Sequence, residues 1–204
     1  ETTEDFEKLS GVTPTDQTYL RSSPFRLFLH RIPWLLILMI SATFTGMIIS
    51  HFENALAVQV VLVAFIPMLM GTGGNSGSQS SVTIIRALSL GEIGYEDTFR
   101  VLFKETITSI LCGVALGVAC FGKLILVERI LLGNSDITIT VALVVSLSMI
   151  VTVIMAKVMG CLLPLLAKRL GCDPAVMSSP FLTTIVDALS LLIYLGIASY
   201  VLKI

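Results

Sequence analysis

Apolar residues dominate five stretches of this chain, roughly residues 33–50, 55–90, 106–127, 137–166 and 175–201. The second is interrupted in its middle by a polar, glycine-rich segment. A helix needs about 20 mostly apolar residues to cross the hydrocarbon core, so the pattern predicts five transmembrane spans. The fourth is longer than a crossing requires, which predicts tilt, or a bend near Gly160 or Pro164. Ahead of the spans, Thr3 to Ser10 reads as an acidic helix with Phe6 and Leu9 on one face, stopped by Gly11. A polar linker with Pro14 follows, and residues 1–20 are expected to form one cytoplasmic unit, a helix and its linker. Ser23-Pro24 is a helix start, and residues 21–32 read as an interfacial amphipathic helix on the cytoplasmic leaflet. Residues 33–204 make the five-helix membrane domain.

Composition fixes the class as all-α membrane protein. The 204 residues are 55% hydrophobic and 13% charged, with mean hydropathy +0.94, whereas soluble domains carry about 25% charged residues. A net charge of −1 offers no basic face, so nucleic acid is not an expected partner; membrane lipid is. The chain opens on an acidic, polar stretch that does not resemble a signal peptide, and it reads as a piece of a longer protein. Cys112, Cys120, Cys161 and Cys172 form no CxxC pair and have no histidine close in sequence. That argues against a thiolate metal site, and the cysteines are expected to stay reduced.

Basic residues set the expected orientation. Nine of the 13 fall on one side: Lys8, Arg21, Arg26, Arg31, Arg86, Arg100, Lys104, Lys168 and Arg169. Lys123, Arg129 and Lys203 fall on the other. The N-terminus is therefore expected in the cytoplasm and the C-terminus outside, in a multi-pass protein of the plasma (inner) membrane. Lys157 lies inside the fourth span. It either lines a pathway or, the preferred reading, snorkels to the cytoplasmic interface.

The most informative residue is Asp187, the only charged residue between Asp173 and Lys203. A carboxylate near the middle of a span costs about 2.5–3.5 kcal/mol on insertion scales. It faces a wet cation pathway, or it is a carboxyl kept protonated in a helix contact. The second feature is the segment Pro67 to Ser81. There Gly71, Gly73, Gly74 and Gly77 permit close helix approach or a broken helix, and Asn75, Ser76, Ser78, Gln79, Ser80 and Ser81 supply neutral polar groups. Such a segment packs helices tightly and lines a hydrated path. No Gly-Lys-Ser/Thr follows the glycines, which argues against a phosphate loop. Intramembrane proteolysis is disfavoured too. His30 and His51 fall at opposite ends of a span, too far from the Gly-Asn-Ser-Gly of residues 74–77 for a dyad, and Asp187 has no second aspartate. The chain is therefore not expected to be an enzyme.

Residues 65–93, from Phe-Ile-Pro-Met-Leu-Met-Gly-Thr-Gly-Gly-Asn-Ser-Gly-Ser-Gln-Ser-Ser to Gly-Glu-Ile, resemble the second-helix signature of the MgtE-type magnesium transporters. Residues 173–187, Asp-Pro-Ala-Val-Met-Ser-Ser-Pro-Phe-Leu-Thr-Thr-Ile-Val-Asp, resemble that family's fifth-helix signature. The opening residues through Gly11 and Val12 are similar to its linking helix. The resemblance implies a homodimer of five-helix protomers around a central Mg²⁺ path, with the cytosolic regulatory (CBS-type) domains of full-length members lying outside this chain. It implies that Asp187 holds the pore Mg²⁺, with the backbone carbonyls of Thr183 and Ser179 facing it. It also implies a regulatory Mg²⁺ at the cytoplasmic mouth, held by Asp173, Glu1, Glu4 and Asp5, that favours the closed state. Gly71, Gly73, Gly74, Asn75, Gly77 and Gln79 are then the pore-lining and packing set. The chemistry agrees: Mg²⁺ sheds water reluctantly and takes few carboxylates plus waters, and no soft thiolate or imidazole cluster competes. The function expected is Mg²⁺ uptake driven by the membrane potential and gated by cytosolic Mg²⁺. The alternatives are a path for Mn²⁺ or Co²⁺, or a non-conducting membrane assembly domain.

Overall fold

The computed structural model describes residues 19–177 and 179–203. The described residues form helices and loops, with no strand among them. Five helices are long and apolar enough to cross a membrane. The linking helix expected over residues 3–10, with Glu1, Glu4 and Asp5, lies outside the described residues.

Helix α1 spans Pro24–His51. Ser23 caps it, its Oγ accepting from the Arg26 amide at 3.3 Å, with Pro24 in the first turn. The boundary expected at residues 32/33 is not a helix end, because α1 runs straight on through Pro33. Proline removes one backbone donor and leaves the carbonyl four residues earlier unpaired. Here that is Leu29, among Arg26, His30 and Arg31, still close to the start of the helix where polar partners are at hand. The interfacial segment and the first span are therefore one helix. It buries no residue, and its main packing partner is α6 (Ser179–Leu202).

A short helix α2 (Glu53–Val58) and a 3₁₀ stretch (Val60–Phe65) lead into α3, Ile66–Ser89. Of the two backbone states left open for the glycine segment, close approach is the one adopted: α3 is an unbroken helix through residues 71–81. In lipid a helix that breaks leaves backbone groups without partners, so the penalty for glycine in a helix is smaller than the penalty for unwinding. Helix α4 covers Thr98–Gly122 and continues as a π-helical extension, Lys123–Leu131. It begins well before the expected residue 106: its first two turns carry the charged, exposed Arg100 and Lys104, and exposed charge does not stop a helix.

Helix α5 (Ile139–Arg169) is the hub. Thr138 caps it, accepting from the Val141 amide at 3.1 Å, and it continues through Gly160 and Pro164. It packs against α3, α4 and α6. The core joins Val141, Val145, Met149 and Val153 of α5 to Leu62 and Leu69 beside α3, Leu124 beyond α4, and Leu191 and Leu195 of α6. Tyr194, fully buried, donates from its hydroxyl to the Leu62 carbonyl at 2.9 Å. All four cysteines are free, and Cys120 and Cys161 are buried as small apolar groups.

Candidate ion path between the glycine helix and the aspartate helix

Helix α3 has two faces. Gly73, Gly74, Ser76, Gly77 and Ser80 are buried. Gly71, Asn75 and Gln79, each one turn apart, are exposed. The buried face lies at backbone distance from its neighbours. A Cβ added at Gly160 of α5 would overlap the Gly77 carbonyl. One added at Gly77 would stand 3.0 Å from the Ala156 carbonyl, and one at Gly73 would stand 2.8 Å from Ser190 Oγ and 2.9 Å from Thr152 Cγ2. These contacts explain why glycine is needed at 73, 77 and 160. By contrast, a Cβ at Gly71 would meet nothing within 4 Å.

Gly74 stands under the aspartate. A Cβ there would lie 3.2 Å from Thr183 Cγ2 and 3.8 Å from Asp187 Oδ1. Asp187 and Thr183, one turn apart on α6, thus both lean over the same glycine. Both are half-buried, and the Thr183 hydroxyl donates back to the Pro180 carbonyl at 2.9 Å. Ser179 is the first residue of α6, one turn before Thr183. No Lys or Arg among the described residues pairs with Asp187. The arrangement is a half-buried carboxylate without a basic partner on a spanning helix, over a glycine of the helix that carries the exposed stripe Gly71, Asn75 and Gln79.

The other expected site residues are spread out. Asp173 is exposed, in the turn before α6, its Oδ1 accepting from the Ala175 amide at 2.9 Å. That is a capping contact at the start of the 3₁₀ turn Pro174–Met177, which leads into α6. Gln79 is exposed, and its carbonyl accepts from the Thr83 hydroxyl at 2.8 Å. His30 and His51 sit near opposite ends of α1, about 31 Å apart along the axis at 1.5 Å per residue.

One reading of the sequence is overturned. Lys157 does not snorkel: it is 6% exposed, 3.4 Å from Ser80 Oγ and 3.9 Å from Glu105 Oε1. Glu105 itself was missed, because the third span was expected to begin one residue after it. The signal that could have found it is the lysine: a base inside a span needs an acid within reach.

Residues 66–197, from the start of α3 to near the end of α6, match the family model MgtE, described as a divalent cation transporter. The chain belongs to this family. Three curated relatives called magnesium transporter MgtE agree with it. The protein from Thermus thermophilus is 37% identical over 203 residues, all of this chain and 43% of its own length. That from Bacillus subtilis is 38% identical over 201 residues, 98% of this chain and 42% of its own. That from Enterococcus faecalis is 30% identical over 203 residues, again all of this chain and 42% of its own. The chain therefore spans about two fifths of the length of the MgtE relatives it matches. The family match takes in both the glycine helix and the Asp187 turn, the two parts that geometry alone sets against each other.

Proposed function

We propose that this chain forms the ion path of a magnesium transporter, conducting Mg²⁺ down the membrane potential as a homodimer. The observation that carries the reading is the half-exposed Asp187 carboxylate over Gly74, beside the uncovered stripe Gly71, Asn75 and Gln79. An uncovered polar stripe and a lone carboxylate are poor company for lipid. A second copy facing them would enclose a wet channel and bring two Asp187 carboxylates to one ion. The donor set suits Mg²⁺: one carboxylate per chain, with neutral oxygens and amides around it that hydrogen-bond the ion's retained waters. The backbone carbonyls of Thr183 and Ser179, successive turns of the same helix face, would receive those waters along the way. The curated relatives' names support Mg²⁺ as cargo, and the family description supports a divalent ion more generally. Each 100 mV supplies about 4.6 kcal/mol to a divalent ion, at about 2.3 per charge, so no nucleotide is needed.

The orientation proposed is N-terminus in the cytoplasm of a cell with the protein in its plasma membrane, and C-terminus outside. Asp173 then stands at the cytoplasmic mouth. Together with Glu1, Glu4 and Asp5 it would hold a regulatory Mg²⁺ that draws the linking helix onto the path, with CBS-type regulatory domains of the whole protein adding control. Uptake into proteoliposomes tests the reading. Wild-type protein should pass Mg²⁺ ahead of Mn²⁺, Co²⁺ and Ca²⁺, and Asp187→Asn should pass none of them. Selective uptake of Mn²⁺ or Co²⁺ would move the cargo to that ion, and no uptake of any divalent ion would leave a membrane assembly domain.

A further inference from the structure

A second group of charges sits inside the protomer, away from the exposed stripe. Lys157 of α5 donates to Ser80 Oγ of α3 at 3.4 Å and lies 3.9 Å from Glu105 Oε1 of α4. The Ser80 hydroxyl donates to that same carboxylate oxygen. One base, one acid and one hydroxyl from three helices therefore close a ring, with the Lys157 and Glu105 side chains 7% and 16% exposed. Desolvation offsets most of what a buried pair gains from attraction, while removing one partner strands the other charge. Net stability is thus a weak reason for keeping such a ring in a span.

What the ring holds supplies a better one. Ser80 belongs to the buried face of α3, next to Gly77, and Lys157 lies one turn from Gly160 on α5. The Gly77–Gly160 contact brings the two backbones together and disfavours a turn that would put a serine Cβ in its place, but it makes no directed bond to fix the angle. A turn of α3 by one residue, about 100°, would carry Asn75 off the exposed face and Gly74 out from under Asp187. The directed contacts at Ser80 resist that turn. We infer that the Lys157–Glu105 pair, bridged by Ser80, is a positioning element for conduction: it locks the rotation of α3 that places Gly74 under Asp187 and Asn75 on the path. The inference rests on the path proposed above.

Two measurements test it together, in a background with the four native cysteines replaced by alanine. Mg²⁺ uptake into proteoliposomes is read for Glu105→Gln, Lys157→Met and the neutral double variant Glu105→Gln/Lys157→Gln, which keeps hydrogen bonding without charge. Rotation is read by a water-soluble methanethiosulfonate reagent at Asn75→Cys and, separately, Ser76→Cys. The parent should react at 75 and be protected at 76. Each single variant should lose uptake by about tenfold or more as a charge is stranded, with reactivity moving from 75 toward 76; the double variant should restore both to within about threefold. Single variants that transport normally overturn the pair's role, as do variants that lose uptake with reactivity unchanged. Should the single variants fail to fold, the double variant decides alone: a folded, transporting double supports the inference, and one that is inactive or misfolded overturns it. A parent unreactive at 75 overturns the path itself and this inference with it, whereas a reactive 75 with silent single variants overturns only the pair.

Discussion

Glu105 on α4 and Asp187 on α6 are both carboxylates on spanning helices, and their surroundings differ in kind. Glu105 faces inward and shares its charge with Lys157 and the Ser80 hydroxyl. Asp187 is half-buried over a glycine, beside exposed polar residues, with no basic partner among the described residues. A charge that the chain neutralises internally has a structural use; a carboxylate left without a basic partner is what the proposed ion path rests on. The contrast separates the two better than burial does, since both residues are half-buried on helices long enough to span a membrane.

The largest effect should come from the unpaired carboxylate. Asp187→Asn keeps the shape and removes the charge, so Mg²⁺ flux should be almost abolished while the protein assembles and melts as wild type. Radiotracer or fluorescent-dye uptake checks the first point and size-exclusion chromatography the second. If flux persisted, Asp187 would join Glu105 as a structural group and the contrast would collapse.

How much of this was legible beforehand follows the same division. Asp187 stood out because it interrupts an apolar run, and a cost of that kind is readable from one residue. The five spans were legible because lipid demands length and apolarity, and their ends differ where a helix continues past its apolar run, as α4 does through Arg100 and Lys104. The Glu105–Lys157 pair was not legible. Its members are far apart in sequence, and only the packing of α4 on α5 shows that they meet. The division of α3 into a packed and an open face was equally hidden, because glycines at 71, 73, 74 and 77 look alike until neighbours are in place.

That division gives the next effects. Gly160→Ala puts a methyl group into the Gly77 carbonyl, which is backbone and cannot swing aside. It should destabilise by about 1–3 kcal/mol or more and abolish uptake. Gly73→Leu should behave alike, meeting Ser190 and Thr152. Gly71→Ala should fold normally, having nothing within 4 Å in its own protomer. Thermal unfolding in detergent separates the two outcomes. A loss of dimer in Gly71→Ala would show that the open face is the one a second copy approaches.

Asn75→Leu probes lining without disturbing packing, since its side chain is exposed. Uptake should fall severalfold with melting unchanged, because a polar contact to a hydrated ion is lost while α3 keeps its neighbours. Smaller still for conduction itself is the cytoplasmic brake. In Asp5→Asn/Asp173→Asn, currents should be unaltered at micromolar internal Mg²⁺ and should resist inhibition at millimolar. An unchanged inhibition curve in patch recordings would place the brake elsewhere than at Asp5 and Asp173.

The smallest effect belongs to Tyr194, two turns beyond Asp187 on α6. Its hydroxyl donates to the Leu62 carbonyl in the 3₁₀ stretch just before α3. The phenol is fully buried, so this carbonyl gives its hydroxyl a partner that an apolar core would not. The bond also joins the approach to the glycine helix to the far half of the aspartate helix. Gly74 and Asp187 are thus held together from both ends, by packing at Gly77 on one side and by this hydrogen bond on the other. Tyr194→Phe keeps the ring in its buried slot and removes only the donor. It should lower stability by about 0.5–1.5 kcal/mol and reduce uptake by no more than a few-fold. Thermal melts of the purified protein check the first number and proteoliposome uptake the second. A variant that melts as wild type yet transports poorly would reverse the ranking, making the Tyr194 hydroxyl part of the path and not a fastening beside it.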